Sequence, residues 1–151
     1  MPGIRAGGDS PPGPQARRVR ARVTDGLWVR LVDVPSALAQ RRYACPVDVV
    51  IEVADDSCGW NQGRWRLTAG AAGAPDPGTG APAGVGATCE RTTDAADIAL
   101  PVRTLGAAYL GGTRLGPMAA AGLVTELRPG ALAPLSTALS WDPAPWCPMI
   151  F

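Results

Sequence analysis

The chain contains no histidine and no lysine, and all 14 of its basic residues are arginine. Without histidine there is no side chain that titrates near neutrality unperturbed, no imidazole metal ligand, and no Ser-His or Cys-His catalytic pair. An all-arginine basic set beside abundant alanine, glycine and proline fits a GC-rich coding sequence. The four cysteines, Cys45, Cys58, Cys89 and Cys147, include no C-x-x-C pair. That spacing argues against zinc and against any other metal site. They are expected to be reduced and mostly buried, with Cys147 the most exposed. No run of 18 apolar residues occurs, so no membrane-spanning helix is expected. Met1-Pro2-Gly3 is not followed by an apolar signal core, which points to the cytoplasm. Charge is balanced, 14 basic against 13 acidic residues for a net +1, without a basic run. Nucleic acid and anionic membrane are thereby disfavoured as partners.

What is present suffices for one packed domain: 151 residues, 46 % of them apolar. Residues 1–16 hold eight Gly or Pro and are expected to form a disordered leader before a domain over 17–151. Leu27–Val32 alternates at period two and predicts a first strand. Asp33 is a candidate N-cap, and Pro35 suits the first turn of a helix over Ser36–Tyr43, with Val34, Leu38 and Arg42 along one stripe. Val47, Val49, Ile51 and Val53 form one face of the clearest strand, and Arg64–Thr68 returns as its hairpin partner. Residues 70–84 hold eight Gly or Pro and read as a flexible loop. Further strands are expected over Val85–Arg91, Ile98–Val102 and Val124–Leu127. Between and after them lie three short helices, two of them stopped by Gly111-Gly112 and Gly122. These elements predict an α+β domain: a mostly antiparallel sheet of about five strands with helices on one face.

The last stretch, Trp141-Asp-Pro-Ala-Pro-Trp-Cys-Pro-Met-Ile-Phe151, has prolines at 143, 145 and 148 and Asp142 as its only charged side chain. Such a segment is extended and stiff, so docking it costs little entropy. It reads either as a strap that closes its own domain or as a tail that delivers the Phe151 α-carboxylate to a fixed place.

Six segments together resemble one family. They are Gly26-Leu-Trp-Val-Arg-Leu-Val-Asp-Val-Pro35, Asp48-Val-Val-Ile-Glu-Val53, Cys89-Glu-Arg-Thr92, Leu105-Gly-Ala-Ala-Tyr-Leu-Gly-Gly-Thr113, Glu126-Leu-Arg-Pro-Gly-Ala131 and Trp141-Asp-Pro-Ala-Pro-Trp-Cys147. Over residues 17 to 151 the chain resembles the C-terminal domain of the Eis-type (enhanced intracellular survival) N-acetyltransferases. The resemblance implies the sterol-carrier-protein-2 fold, placed behind two GNAT-type acetyltransferase domains. It implies acetyl transfer from acetyl-CoA to amines, including aminoglycosides, and assembly as a hexamer. It also implies that the C-terminal carboxylate, here that of Phe151, reaches the acetyltransferase site as proton acceptor. Ile150 and Trp146 then belong to the substrate wall. The GNAT domains themselves are missing, and residues 1–26 contain no loop that could cradle the CoA pyrophosphate. The chain therefore holds no cofactor of its own. It is expected to be a fragment, a truncated product or a free-standing relative that needs GNAT domains in cis or in trans.

Two other readings compete with the catalytic accessory domain: a free-standing lipid carrier with an apolar tunnel, and a purely structural or oligomerisation domain. Taken singly, most residues favour the plain reading. Trp28 and Trp65 suit core or interface, Tyr109 a core position with a satisfied hydroxyl, Asp55-Asp56 a turn, and Glu90 and Arg91 a solvated face.

Overall fold

A computed structural model describes residues 26–70 and 86–147. The expected leader over 1–16, most of the expected loop over 70–84, and residues Ile150 and Phe151 lie outside the described residues. The element order is α1 (Val34–Gln40), β1 (Val47–Ala54), β2 (Gly63–Ala69), β3 (Ala87–Arg91), β4 (Ile98–Pro101), α2 (Val102–Tyr109), α3 (Leu115–Ala120), β5 (Thr125–Glu126) and α4 (Leu132–Leu139). The five strands form one sheet in the order β3-β2-β1-β4-β5. Three of the four pairings are antiparallel; β1 and β4 run parallel, with Ile51 opposite Ile98 and Val53 opposite Leu100.

Period-two patterning explains the sheet. Val47, Val49, Ile51 and Val53 of β1 are buried beside Trp65, Leu67 and Ala69 of β2 and Cys89 of β3. This face packs on the helices: α1 lies across β3 and β2, and α4 against β1. Leu38, Leu105, Leu115, Leu135 and Leu139 complete one continuous core. Burial there pushes the Cys89 thiol up to about 12. The opposite face carries two cross-strand ion pairs, Arg64 with Glu52 directly opposite it and Arg66 with Asp48 on the diagonal. Arg66 reaches both Asp48 (2.7 Å) and Asp94 (3.0 Å). Such exposed pairs each add little to stability and keep the face solvated.

α1 starts as its sequence dictates. The Asp33 side chain accepts the Ser36 N–H at 2.9 Å, and a proline occupies the first turn. It ends at Gln40, earlier than the expected Tyr43. Tyr43 is instead fully buried and donates its hydroxyl to the Leu38 carbonyl at 2.8 Å, while Arg42 is exposed and off the stripe.

Leu27–Val32 does not form the expected first strand. Its carbonyls take side-chain donors instead of a ladder. Trp60 Nε1 donates to Val32 O at 2.8 Å, and Asn61 Nδ2 donates to Val32 O at 3.0 Å and Leu31 O at 3.3 Å. Leu31 is buried, whereas Leu27, Trp28 and Val32 are exposed.

Asp55 and Asn61, at the two ends of the β1–β2 turn, hold this segment in place. Both are buried, 2 % and 0 % exposed. Asp55 accepts from Asn61 Nδ2 (3.0 Å), from Arg30 Nη2 at both oxygens (2.7 and 2.9 Å), and from the Ser57 and Cys58 N–H groups (3.1 and 3.0 Å). Burial pushes its carboxyl up. The bonds from Asn61, Cys58, Arg30 and Ser57 outweigh that and hold it well below the usual carboxylate range. Asp55 is thus more than the turn residue its sequence suggests.

Candidate functional site: the tail and its platform

α4 hands the chain directly to the tail. Ser140 caps the helix, its hydroxyl donating to Thr137 O at 2.7 Å. Trp141 N–H then donates to Gly111 O at 3.2 Å. Gly111 has φ +86, and a Cβ there would stand 2.7 Å from both the Trp141 Cβ and its backbone nitrogen. Both backbone conformation and space therefore demand glycine. Pro145 lies over Gly112, its Cδ 2.8 Å from where a Cβ would stand. The tail ends its described course at Cys147, whose Cβ is 3.8 Å from the Cβ position of Gly26. On the neighbouring helix, a Cβ on Gly106 would meet the Val29 carbonyl at 2.4 Å, so the incoming segment runs tight along α2.

Three of the segments singled out in the sequence thus converge. The Leu105–Thr113 motif is a platform, on which the Gly26–Pro35 segment lies at one end and the Trp141–Cys147 segment at the other. Sequence reasoning treats Gly111-Gly112 only as a helix stop. Its second role, a seat for Trp141 and Pro145, is signalled only by the joint presence of the two motifs.

Of the expected site residues, Trp146 is described and Ile150 and Phe151 lie outside the described residues. Trp146 is 84 % exposed, so the ring is presented to solvent rather than threaded into a groove of this domain. Trp141, by contrast, is half-buried. It lines a groove of about 210 Å³ with Arg41, Arg42, Tyr109 and Leu110. The Arg41 guanidinium sits 4.9 Å from the Tyr43 ring centre and 5.5 Å from that of Tyr109, and donates to Leu139 O at 2.8 Å. Burial lowers its pKa. The Tyr109 hydroxyl donates to Ala37 O at 3.1 Å, so it is occupied in tying α2 to α1.

The strand-to-helix junctions of the described residues do not fit acetyl-CoA. Phosphate cradles use backbone N–H groups at a loop between strand and helix. Here β4 runs into α2 with no intervening residue. The N-terminus of α4 is already met by a carboxylate, Glu126 Oε1 accepting the Leu132 N–H at 2.9 Å. An anionic ligand would be repelled there. Among the described residues, neither junction offers a cradle for the CoA pyrophosphate. The packing of the described residues gives a lipid tunnel no support either. The space between sheet and helices is filled by Tyr43, Leu38, Ile51, Leu67, Ile98 and Leu105, all fully buried. A second recess, about 350 Å³, is open and includes Glu52 and Gln62 in its lining. No helix of the described residues is long and apolar enough to cross a membrane.

An open mixed sheet covered by short helices, with the last segment strapped over a glycine platform, defines a sterol-carrier-type α+β domain. The sterol carrier protein domain family matches residues 34–148, and the chain belongs to that family. It is 54 % identical over 132 residues to an uncharacterized N-acetyltransferase of Streptomyces coelicolor, a match covering 87 % of this chain and 29 % of that protein. It also superposes on Eis1 from Mycobacterium abscessus with a TM-score of 0.63 and 33 % identity, over 81 % of this chain and 27 % of that one. For a GCN5-related N-acetyltransferase from Kribbella flavida the TM-score is 0.62 and the identity 28 %, over 81 % and 28 % of the two chains. The chain spans less than a third of the length of the curated Streptomyces relatives it matches at 54 % identity.

Proposed function

We propose that this chain acts as the C-terminal accessory domain of an Eis-like, acetyl-CoA-dependent amine N-acetyltransferase, with aminoglycoside-type amines as acceptors. GNAT domains in cis or in trans hold acetyl-CoA. The Phe151 carboxylate accepts the proton released as the amine is acetylated, and Ile150 and Trp146 form part of the substrate wall. The assembly is a cytoplasmic homo-oligomer, hexameric as in the family resembled. The observation that carries this reading is the seating of the tail, with Trp141 and Pro145 fixed on Gly111-Gly112 while Trp146 is left uncovered. A segment seated at Trp141 and Pro145 with the Trp146 ring left uncovered suits delivery to a neighbouring domain better than closure of its own.

The chemistry sets clear demands. A free α-carboxyl titrates at about 3.3–3.7 and is a weak base at neutral pH. To act on an ammonium substrate it must lie within hydrogen-bond reach, directly or through one water. Apolar surroundings raise its basicity and strengthen its pull on a cation. The prolines hold the segment stiff, so little entropy is lost on docking.

The test is to add a single glycine after Phe151, or to amidate the terminus, in a chain joined to GNAT domains. Every side chain stays intact while the charge is displaced or removed. Turnover should fall by about 10²–10⁴-fold, the usual scale of a general base, with the fold unchanged. An extended chain that acetylates as fast as the native one rules the carboxylate out.

A further inference from the structure

We infer that the groove lined by Arg41, Arg42, Tyr109, Leu110 and Trp141 binds a small aromatic carboxylate, whose charge answers the guanidinium of Arg41. The groove has a volume of about 210 Å³ and offers two arginines, two aromatic rings, one leucine and no acidic residue. The inference does not rest on the accessory-domain reading.

Arg41 is a charge without a counter-charge. Its Nε donates to Arg42 O at 3.1 Å and its Nη2 to Leu139 O at 2.8 Å. Its Nη1 is buried and bonds nothing, the one buried side-chain nitrogen or oxygen among the described residues left in that state. Shut off from solvent, it is not satisfied by bulk water either. Arg30, Arg64, Arg66 and Arg128 each pair with a carboxylate, whereas none of the ion pairs among the described residues includes Arg41. An arginine keeps its charge even when buried. The rings of Tyr43 and Tyr109, 4.9 and 5.5 Å away, attract that charge without neutralising it. Leu139 O belongs to the last turn of α4, and a helix C-terminus supplies only about half a negative charge. Buried charges are as a rule paired, because desolvating a lone ion is costly.

The other walls define the ligand. Arg42, exposed on the same groove, adds a second positive charge, and a guanidinium matches a planar carboxylate as one fork matches another. Trp141 and Tyr109 are half-buried, and the Tyr109 hydroxyl is already spent on Ala37 O, so it is the ring that is offered. With Leu110 these walls suit a flat apolar body better than a fully hydrated inorganic ion. The volume lies below the roughly 300–1,000 Å³ of sites for drug-sized molecules, so the ligand is small. A carboxylate seated in the groove meets the Arg41 side chain that lines it, and reaches Nη1 through the kind of rotamer change that commonly accompanies binding.

The experiment follows the arginine side-chain and indole N–H resonances of the 151-residue chain by NMR. Sodium benzoate, neutral benzamide and sodium phosphate are titrated in turn at constant ionic strength. Benzoate should shift the Arg41 Nε–H and Trp141 Nε1–H signals along one saturable curve, with a dissociation constant on the order of millimolar. Benzamide has nearly the same shape without the charge and should bind at least about tenfold more weakly. Arg42→Gln alters an exposed side chain and should weaken benzoate binding by about tenfold with the fold unchanged. Arg41→Gln should abolish binding. Because Arg41 also ties down the end of α4, the native chain and Arg42→Gln are decisive if that variant does not fold. A native chain that shows no saturable shift with benzoate overturns the inference. So do equal affinities for benzoate and benzamide, phosphate bound as tightly as benzoate, and a benzoate affinity unchanged in Arg42→Gln. Benzoate shifts that rise linearly and equally at arginines all over the surface show adventitious association and overturn it as well.

Discussion

Asn61 and Asp55 meet at 3.0 Å inside the β1–β2 turn, both buried, and between them they hold the incoming segment, the start of α1 and the turn itself. The carboxylate's pKa is depressed in the folded state, so its contribution to stability is present above its unfolded value of about 3.9 and is lost as pH falls through the folded value. Asp55→Asn should therefore lower the urea midpoint by a constant amount at neutral pH. The gap to the native chain should narrow below about pH 4. A gap independent of pH down to acid unfolding would contradict the assignment.

Asn61→Ala removes the partner of the buried Val34 N–H and the donor to Val32 O. Each buried group left bare costs about 1–3 kcal/mol. Denaturant titration should show a loss of at least that size. Amide exchange should rise at Val34 and in the first turn of α1 ahead of the sheet.

Gly111→Ala tests the platform. Alanine at a φ of +86 costs about 1–2 kcal/mol from backbone strain alone, before the contact with Trp141 is counted. The expected outcome is a shift of Trp141 emission to that of a solvent-exposed indole with the sheet retained. In a chain joined to GNAT domains, acetyl transfer should drop with it.

Tyr109→Phe separates a packing role from an acid role. The hydroxyl is occupied by Ala37 O at 3.1 Å, so its loss should cost about 0.5–1.5 kcal/mol in stability. Turnover of the GNAT-joined enzyme should be unchanged. A fall of tenfold or more would mean that the hydroxyl serves the reaction.

Several of these features were legible in the chain. The Asp33 cap, the Val47–Val53 face, the hairpin and the glycine stops follow from local rules of spacing and capping, which act over a few residues. What escaped the sequence is long-range. Leu27–Val32 alternates like a strand, but its carbonyls meet the side chains of Trp60 and Asn61, and no local signal says which donors will arrive. Asp55 reads as a turn residue because Ser57 and Cys58 are its neighbours, while Arg30, 25 residues away, is invisible to that reading. The parallel β1–β4 pairing is equally hidden, since the same strand pattern serves either direction. At the site, the tail's stiffness was readable from its prolines, and its seat on Gly111-Gly112 was not. The assignment of Phe151 came from family resemblance and lies outside the described residues.

The central place of β1 also bears on the order in which the domain can assemble. Its hairpin partner β2 follows at once in the chain, whereas β4, on its other flank, comes much later: Val50 and Asp97, which bond at 2.8 Å where the two strands meet, are 47 residues apart. Closing the longer loop carries the larger entropic cost, so the hairpin is the natural nucleus and β4 a late addition. During synthesis, β1 leaves the ribosome with one edge satisfied and the other bare until β4 and Asp97 emerge. A pause in translation within that interval would hold an unpaired, valine-rich edge open to neighbouring chains, the kind of edge through which nascent proteins aggregate.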